Sequence, residues 1–494
     1  MNSIKNKSSF DDLLKNLSFF GGVEFLNILF QITRSKFVAV LLGPAGIGLY
    51  GLYITSVGLI STLTNCGLDV SGVKFISSNK NNIKKFANIS NLYKSLIKIT
   101  AILGFITVII FSPLLSYFTF QNFDHQFAFL LLSIYVFFTQ MGHGNNTFLR
   151  GLRKQKSFAK STLLSSLFTL IISVAFYYYF GINGIIPALV LSSISYFIVS
   201  QLVNFENNFS IRRFSIKNNL KDGKDILETG ITYSFSGLLI ITSSFLIQIF
   251  IKHFGSIIEV GLYLAAITIV NKYVNLIFKA MSIDFFPKLS EIESEIESNE
   301  LVNQQSILSL LILSPIILLL IIFVKPLLYI LYSSEFYSIS LLVQLFTVGI
   351  FFRTMSWTIA YLFLSKGNTK LYFKNELLFN IHYLLINLFA YMFFGFNGFG
   401  FAFILCNFLY FIHIYISANR IYSFKVNKDF IIILVCQIIF AIILICINYY
   451  SFLGDNINYI ISLVIVISSF VISIKNLNSR SNILSNILNK LWKK

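Results

Sequence analysis

Residues 19–42 read FFGGVEFLNILFQITRSKFVAVLL, an apolar run whose polar residues include Glu24, Asn27, Gln31 and Arg34. Their spacing is 3, 4 and 3. On an α-helix this puts all four on one stripe, within an arc of about 80°. The run is long enough to span a bilayer. A stripe ending in Arg is costly against lipid, so it faces a wet cavity or a protein interior. The segment therefore reads as a membrane helix whose function lies on one face.

The rest of the chain repeats the pattern. Its 494 residues are 56% hydrophobic and 12% charged, with mean hydropathy +0.77, whereas a soluble domain carries about 25% charge. Fourteen apolar spans are predicted, at 18–41, 47–72, 95–118, 126–149, 161–181, 184–204, 226–252, 259–287, 305–325, 338–364, 375–394, 398–418, 429–450 and 456–474. Fourteen crossings need about 280 residues, and the hydrophobic 56% of the 494 residues supplies about that number, which leaves no room for a large soluble catalytic domain. The expected class is an all-α polytopic membrane protein.

Charge fixes the expected orientation. Of the 38 Lys and Arg residues, 30 fall in alternate loops and tails. The intervening loops hold only Lys252 and Lys325. Basic loops stay cytoplasmic, so both termini are expected inside. The net charge of +18 is thereby explained without nucleic acid. The acidic loop 288–303 reads as a solvated helical turn. The first span leads straight into a second and follows Asp11 and Asp12, so it reads as a retained helix and not a cleaved signal.

An internal repeat is present. Gly48-Leu49-Tyr50 recurs as Gly261-Leu262-Tyr263, and Phe180-Gly181-Ile182-Asn183-Gly184 recurs as Phe394-Gly395-Phe396-Asn397-Gly398, at offsets of 213 and 214. Tyr177 and Tyr391 share the second offset. Six spans per unit is an even number, so the two copies have the same membrane orientation. The expected organisation is a lobe at 1–204, a cytoplasmic linker at 205–225, a second six-helix lobe at 226–418, and two peripheral helices at 429–474. At 475–494 an amphipathic tail, with Ile483, Leu484, Ile487, Leu488, Leu491 and Trp492 on one face, is expected to lie on anionic lipid.

Two further stripes carry chemistry. The eighth span has Thr268, Lys272, Asn275, Lys279 and Ser282, spaced 4, 3, 4 and 3. The second has Thr55, Gly58, Thr62, Asn65 and Asp69, types that also serve ordinary helix packing. Arg353 lies mid-span beside Trp357. Counting interior charges, Arg34, Lys36, Lys272, Lys279 and Arg353 face Glu24, Asp69 and Asp284, and Glu24 alone of these acids is deep. Lys36 reads as snorkelling, and Asp284 as a partner for a lysine. The excess of cations suits a phosphate or acidic sugar. The substrate contacts read from spacing are Arg34, Lys272, Lys279, Arg353, Asn275, Gln31 and Asn27. Glu24 is either a proton or sodium site or the structural partner of a cation; spacing does not choose.

Enzyme chemistry has little to stand on. The five histidines lack metal spacing, and Cys66, Cys406, Cys436 and Cys446 sit in apolar spans without paired spacing. No nucleotide-binding loop, GxSxG or HExxH occurs. No enzyme activity, metal or cofactor is expected.

The run Lys36-Phe37-Val38-Ala39-Val40-Leu41-Leu42-Gly43-Pro44-Ala45-Gly46-Ile47-Gly48-Leu49-Tyr50 resembles the first hairpin of bacterial polysaccharide exporters, the Wzx-type O-antigen and lipid III flippases of the MATE-like MOP superfamily. Arg150-Gly151-Leu152-Arg153 and Phe180–Gly184 are similar to two further turns of that family. The resemblance implies two parallel six-helix lobes, an inner-membrane location, and an undecaprenyl-diphosphate-linked oligosaccharide as substrate, flipped by alternating access. Polymerase and chain-length proteins of the same pathway are its implied partners. The rivals are a MATE-type drug/cation antiporter, which needs an acidic cavity, and a membrane glycan polymerase or glycosyltransferase, which needs a larger outer loop.

Overall fold

The computed structural model describes residues 2–80, 82–204, 222–450 and 455–480. Side chains are described from Leu26 onward, apart from those of 233, 272, 273, 276, 450, 455–456 and 478–480. Glu24 and Lys272 therefore lie outside the described side chains. Most of the 205–225 linker and the tail from 481 lie outside the described residues.

The described residues form helices joined by short turns, with no strand among them. The helices are α1 (Asn2–Asn65), α2 (Leu68–Asn79), α3 (Ile83–Phe120), α4 (Gln126–Gly151), α5 (Gln155–Phe180), α6 (Ile185–Val203), α7 (Lys224–Phe254) and α8 (Ile257–Glu291). They continue as α9 (Glu295–Ile322), α10 (Val324–Leu331), α11 (Ser340–Ser365), α12 (Thr369–Phe394), α13 (Gly398–Tyr422), α14 (Lys428–Tyr450) and α15 (Asp455–Arg480).

Ten segments are long and apolar enough to cross a membrane. Three of these, of 54, 49 and 54 residues, contain Gly43, Gly181 and Gly395 and supply two crossings each. With the shorter apolar stretch Ile257–Asn271 the number of crossings is about fourteen, as expected. The protein is a multi-pass, all-helical membrane protein.

The bend within α1 is a true hairpin. Gly43 has φ 62° and ψ −170°, a region essentially closed to residues with a Cβ. A straight helix would part Arg34 from Tyr50 by about 24 Å, yet the two side chains hydrogen-bond. Gly181 and Gly395 make matching turns, with φ 54° and 62°, and each donates its N–H to a tyrosine carbonyl, Tyr177 and Tyr391 respectively. The repeat seen in sequence is thus repeated in backbone geometry. Gly184 and Gly398 complete the match: a Cβ there would sit 2.4 Å and 2.2 Å from the carbonyl oxygens of Phe176 and Ala390.

The outer faces of the helices are apolar, with Phe393 75% exposed and Ile110 64% exposed. The interior holds small polar groups, as is usual where helices pack in lipid. Buried Gln140 donates to the Thr64 hydroxyl at 2.9 Å and to the Ser61 carbonyl at 3.2 Å. Ser56 bonds Thr119 at 3.1 Å, and Ser306 bonds Thr358 at 2.5 Å.

Two compact units emerge. The first takes residues up to Gly261 with Leu331–Ser333, and the second takes Leu262–Ile330 and Ser334–Lys494. In the first, α7 packs on α1 and α2. Thr55 donates to Gln248 at 3.2 Å, and Gly58 faces the Ile241 side chain. Those two members of the second stripe are packing residues. This division rests on contact; the division at 205–225 rests on the repeat and remains a proposal.

One expected span is broken. Helix α1 ends at Asn65, and Cys66 and Gly67 both take positive φ, 49° and 65°. The span predicted at 47–72 is therefore two helices meeting at a kink. Gly67 is needed there for closeness as well as for φ, since a Cβ would stand 2.0 Å from the Gly230 carbonyl oxygen. The acidic loop proves to be a helix start. Ser294 caps α9 by accepting from the Glu297 N–H at 3.4 Å, and Glu295 and Glu297 occupy the first turn, where the helix dipole favours acids.

Candidate functional site

In the first unit the chemistry gathers on Arg34. The Gly43 hairpin returns the chain so that the Arg34 guanidinium donates to the Tyr50 hydroxyl, with the guanidinium carbon 5.2 Å from that ring's centroid. Tyr135 on α4 and Tyr177 on α5 are the next phenols around it. Tyr177 is 2% exposed, and its hydroxyl has no hydrogen-bond partner among the described residues. Arg34 lies deep within the protein yet keeps part of its surface open. Among the described residues no carboxylate lies within 4 Å of it. Guanidinium and phenol donors together suit the oxygens of a phosphate or carboxylate.

The stripe that leads to Arg34 divides. Asn27 is buried and accepts from the Ser166 hydroxyl of α5 at 3.0 Å, a packing contact. Gln31 is exposed, and Lys36 is half-buried. The structure thus brings Arg34 to the tyrosines, Asn27 to α5, and Gln31 to neither.

In the second unit Arg353 on α11 donates from Nη1 to Asn271 Oδ1 of α8 at 2.9 Å. Around it stand Glu376, Tyr383 and Tyr410. Glu376 accepts from the Tyr410 hydroxyl at 3.0 Å, and the Tyr383 hydroxyl meets that of Tyr263 at 3.1 Å. Arg353 too is deep but not sealed. Asn275 and Lys279 are exposed one turn apart on α8. Asp284 pairs with Lys288 at 2.6 Å. Trp357 is enclosed by aromatic rings, with Phe278 at 5.0 Å and Phe285 at 5.8 Å.

Glu376 corrects the count of interior acids, in which it had no place. Its signal was available: Glu376, Asn380, Tyr383 and Asn387 are spaced 4, 3 and 4 along α12, a polar stripe like the others. The tyrosines were missed for another reason. They were counted as apolar, although a phenol at bilayer depth supplies a donor. The repeat also places them: Tyr50 and Tyr263 are equivalent, but the first holds Arg34 and the second holds Tyr383. The two units carry cations at different points of one scaffold. Elsewhere, Asp69 at the start of α2 accepts from the Asn65 amide at 3.1 Å, near the expected cytoplasmic edge.

Comparison with known proteins places this geometry. Among solved structures, the lipid II flippase MurJ in an inward closed conformation is similar at TM-score 0.69 and 16% identity, over 95% of this chain and 99% of that one. An inward-facing multidrug resistance MATE family transporter of the MOP superfamily is similar at TM-score 0.64 and 16% identity, over 80% and 94%. A MOP superfamily transporter from Pyrococcus furiosus, described as having a binding pocket of reverse polarity, is similar at 0.58 and 14% identity, over 81% and 93%. No curated protein matches the sequence. The pattern of the polysaccharide biosynthesis protein family matches residues 13–293, more than half of the chain. The chain belongs to the polysaccharide biosynthesis protein family, on the fold shared by flippases and transporters of the MOP superfamily.

Proposed function

We propose that this protein is a flippase that moves an undecaprenyl-diphosphate-linked oligosaccharide, of the O-antigen repeat-unit type, across the bacterial inner membrane, with both termini cytoplasmic. The observation that carries the reading is Arg34: deep, partly open, ringed by phenols, and without a carboxylate within 4 Å among the described residues. An Arg at the centre of a membrane helix costs about 2.5–3.5 kcal/mol on insertion scales. A diphosphate offsets that cost, and the guanidinium in turn offsets the loss of water around the phosphate. Arg353, Lys272, Lys279 and Asn275 supply further contacts for phosphate and sugar as the sites open to one membrane face and then the other. The polyprenyl tail stays in lipid. Glu24 is the residue proposed to couple movement to a proton or sodium ion. No group in this scheme makes or breaks a covalent bond, so the protein is not an enzyme.

The drug/cation antiporter reading needs an acid-dominated site, and Arg34 argues against it. The test is surface glycan in cells carrying Arg34→Ala or Lys272→Ala at normal membrane levels. Loss of glycan is expected in each. Normal glycan in both overturns the assignment. A strain lacking the protein should display no repeat units at all, whereas a polymerase defect leaves single units.

A further inference from the structure

A polar hollow lies within the second unit, and neither arginine lines it. Its volume is about 360 Å³, and it is walled by the end of α9, α10, the start of α11, and the facing ends of α14 and α15. On the proposed orientation it opens at the outer face. Its lining combines the rings of Tyr337, Tyr449 and Tyr459 with the amides of Gln344, Asn448 and Asn458. Ser338 and Ser340 add hydroxyls, and Lys325 is the charged residue of the wall; no acid lines it among the described residues.

The wall is built. Gln344 and Asn448 both donate to one carbonyl, that of Ile321, at 3.0 Å and 3.1 Å. The contact ties α14 to α9 and α11 and leaves each amide its oxygen and a second N–H. Asn458 is 9% exposed and lines the hollow. A 3-10 turn, Ser334–Ile339, runs straight into α11 and brings Tyr337 and Ser338 to the same wall as Ser340 and Gln344. Lys325 is one of two basic residues in the expected outer loops, against the usual charge rule.

We propose that this hollow binds one or two sugar rings bearing a carboxylate or phosphate. Flat rings take the C–H faces of a pyranose, amides and hydroxyls take its O–H groups, and Lys325 takes the negative charge. The volume is at the lower end of the roughly 300–1,000 Å³ typical of small-molecule pockets. The inference rests on the outward orientation and glycan cargo proposed above. It gives α14 and α15 a role, as the wall of a site for the glycan at the outer face. Tyrosines alone would suit the aromatic belt of a membrane interface, but a belt needs neither three amides converging on one hollow nor a lysine.

The full-length protein in lipid nanodiscs is tested by saturation-transfer NMR, with digalacturonate, glucuronate and N-acetylneuraminate as acidic probes and lactose as the neutral one. Saturation transfer to at least one acidic probe is expected. Lys325→Gln should weaken it about tenfold, Lys325→Arg should retain it, and Asn458→Leu should remove it. Lys325 is exposed, so its variants fold even where the Asn458 variant does not. No binding of any acidic probe, equal binding of lactose, or equal binding by Lys325→Gln overturns the proposal. Arg34→Ala should bind the probe normally. Normal surface glycan in Arg34→Ala with probe binding intact would count against the flippase reading alone.

Discussion

His125, in the expected outer loop before α4, stacks on Phe120 with ring centroids 3.8 Å apart and bonds the Tyr53 hydroxyl at 2.6 Å. Burial pushes its pKa below the ordinary 6.5; Asp124 opposes the shift and Lys252 adds to it. The unfolded chain therefore takes up this proton at a higher pH than the folded one. Stability contributed by the neutral ring is present above about pH 6.5 and is lost as pH falls toward the lower folded value. Thermal unfolding in detergent should have a lower midpoint at pH 5.5 than at 7.5, and His125→Asn should narrow that difference. An unchanged difference in the variant would refute the role of this ring. At this scale the sequence was only partly legible. Spacing found Arg34 and Arg353, but not the partners of either, because Tyr50 reaches Arg34 through a hairpin and Glu376 reaches Arg353 from another helix. Periodicity reports which residues share a face. It does not report what that face meets, and so Asn27 and Gln31, one turn apart, could not be separated.

Among the described glycines, the closest backbone approach joins the Gly43 hairpin within α1 to the start of α8. A Cβ on Gly261 would lie 1.8 Å from the Pro44 carbonyl oxygen, and one on Gly48 would lie 2.1 Å from that of Ile257. Backbone cannot yield as a side chain can. Gly261→Ala should lower the thermal midpoint by the equivalent of about 1–3 kcal/mol, the usual cost of overpacking. Gly237→Ala in α7, where a Cβ would meet nothing within 4 Å, is the control and should be neutral or mildly stabilising. Equal effects would show that the close approach is not what matters. The Gly-Leu-Tyr match was visible in the sequence. That its two copies touch each other was not, because a repeat fixes likeness and not contact. The break at Cys66–Gly67 was likewise hidden: Gly67 lies inside an apolar run, and only its φ and the nearby Gly230 carbonyl reveal the kink.

For the whole molecule, the alternation of basic loops makes a direct claim about sidedness. In a cysteine-free background, single cysteines at 123 and 335 should react with a membrane-impermeant maleimide on intact cells, and those at 84 and 370 only after lysis. Labelling of 84 or 370 on intact cells would reverse the orientation and move the hollow beside Lys325 to the cytoplasm. Class and span number were legible because each crossing needs about 20 apolar residues, a constraint that acts locally and leaves its mark in every segment. Loop charge acts in the same local way.

The Arg34–Tyr50 contact also bears on how the chain is made. While only the first span has left the ribosome, its guanidinium has no phenol to meet, since Tyr50 lies 16 residues further on. Release into lipid at that moment would expose a bare cation. Entry of the first two spans as a pair, with the hairpin already closed, avoids that cost.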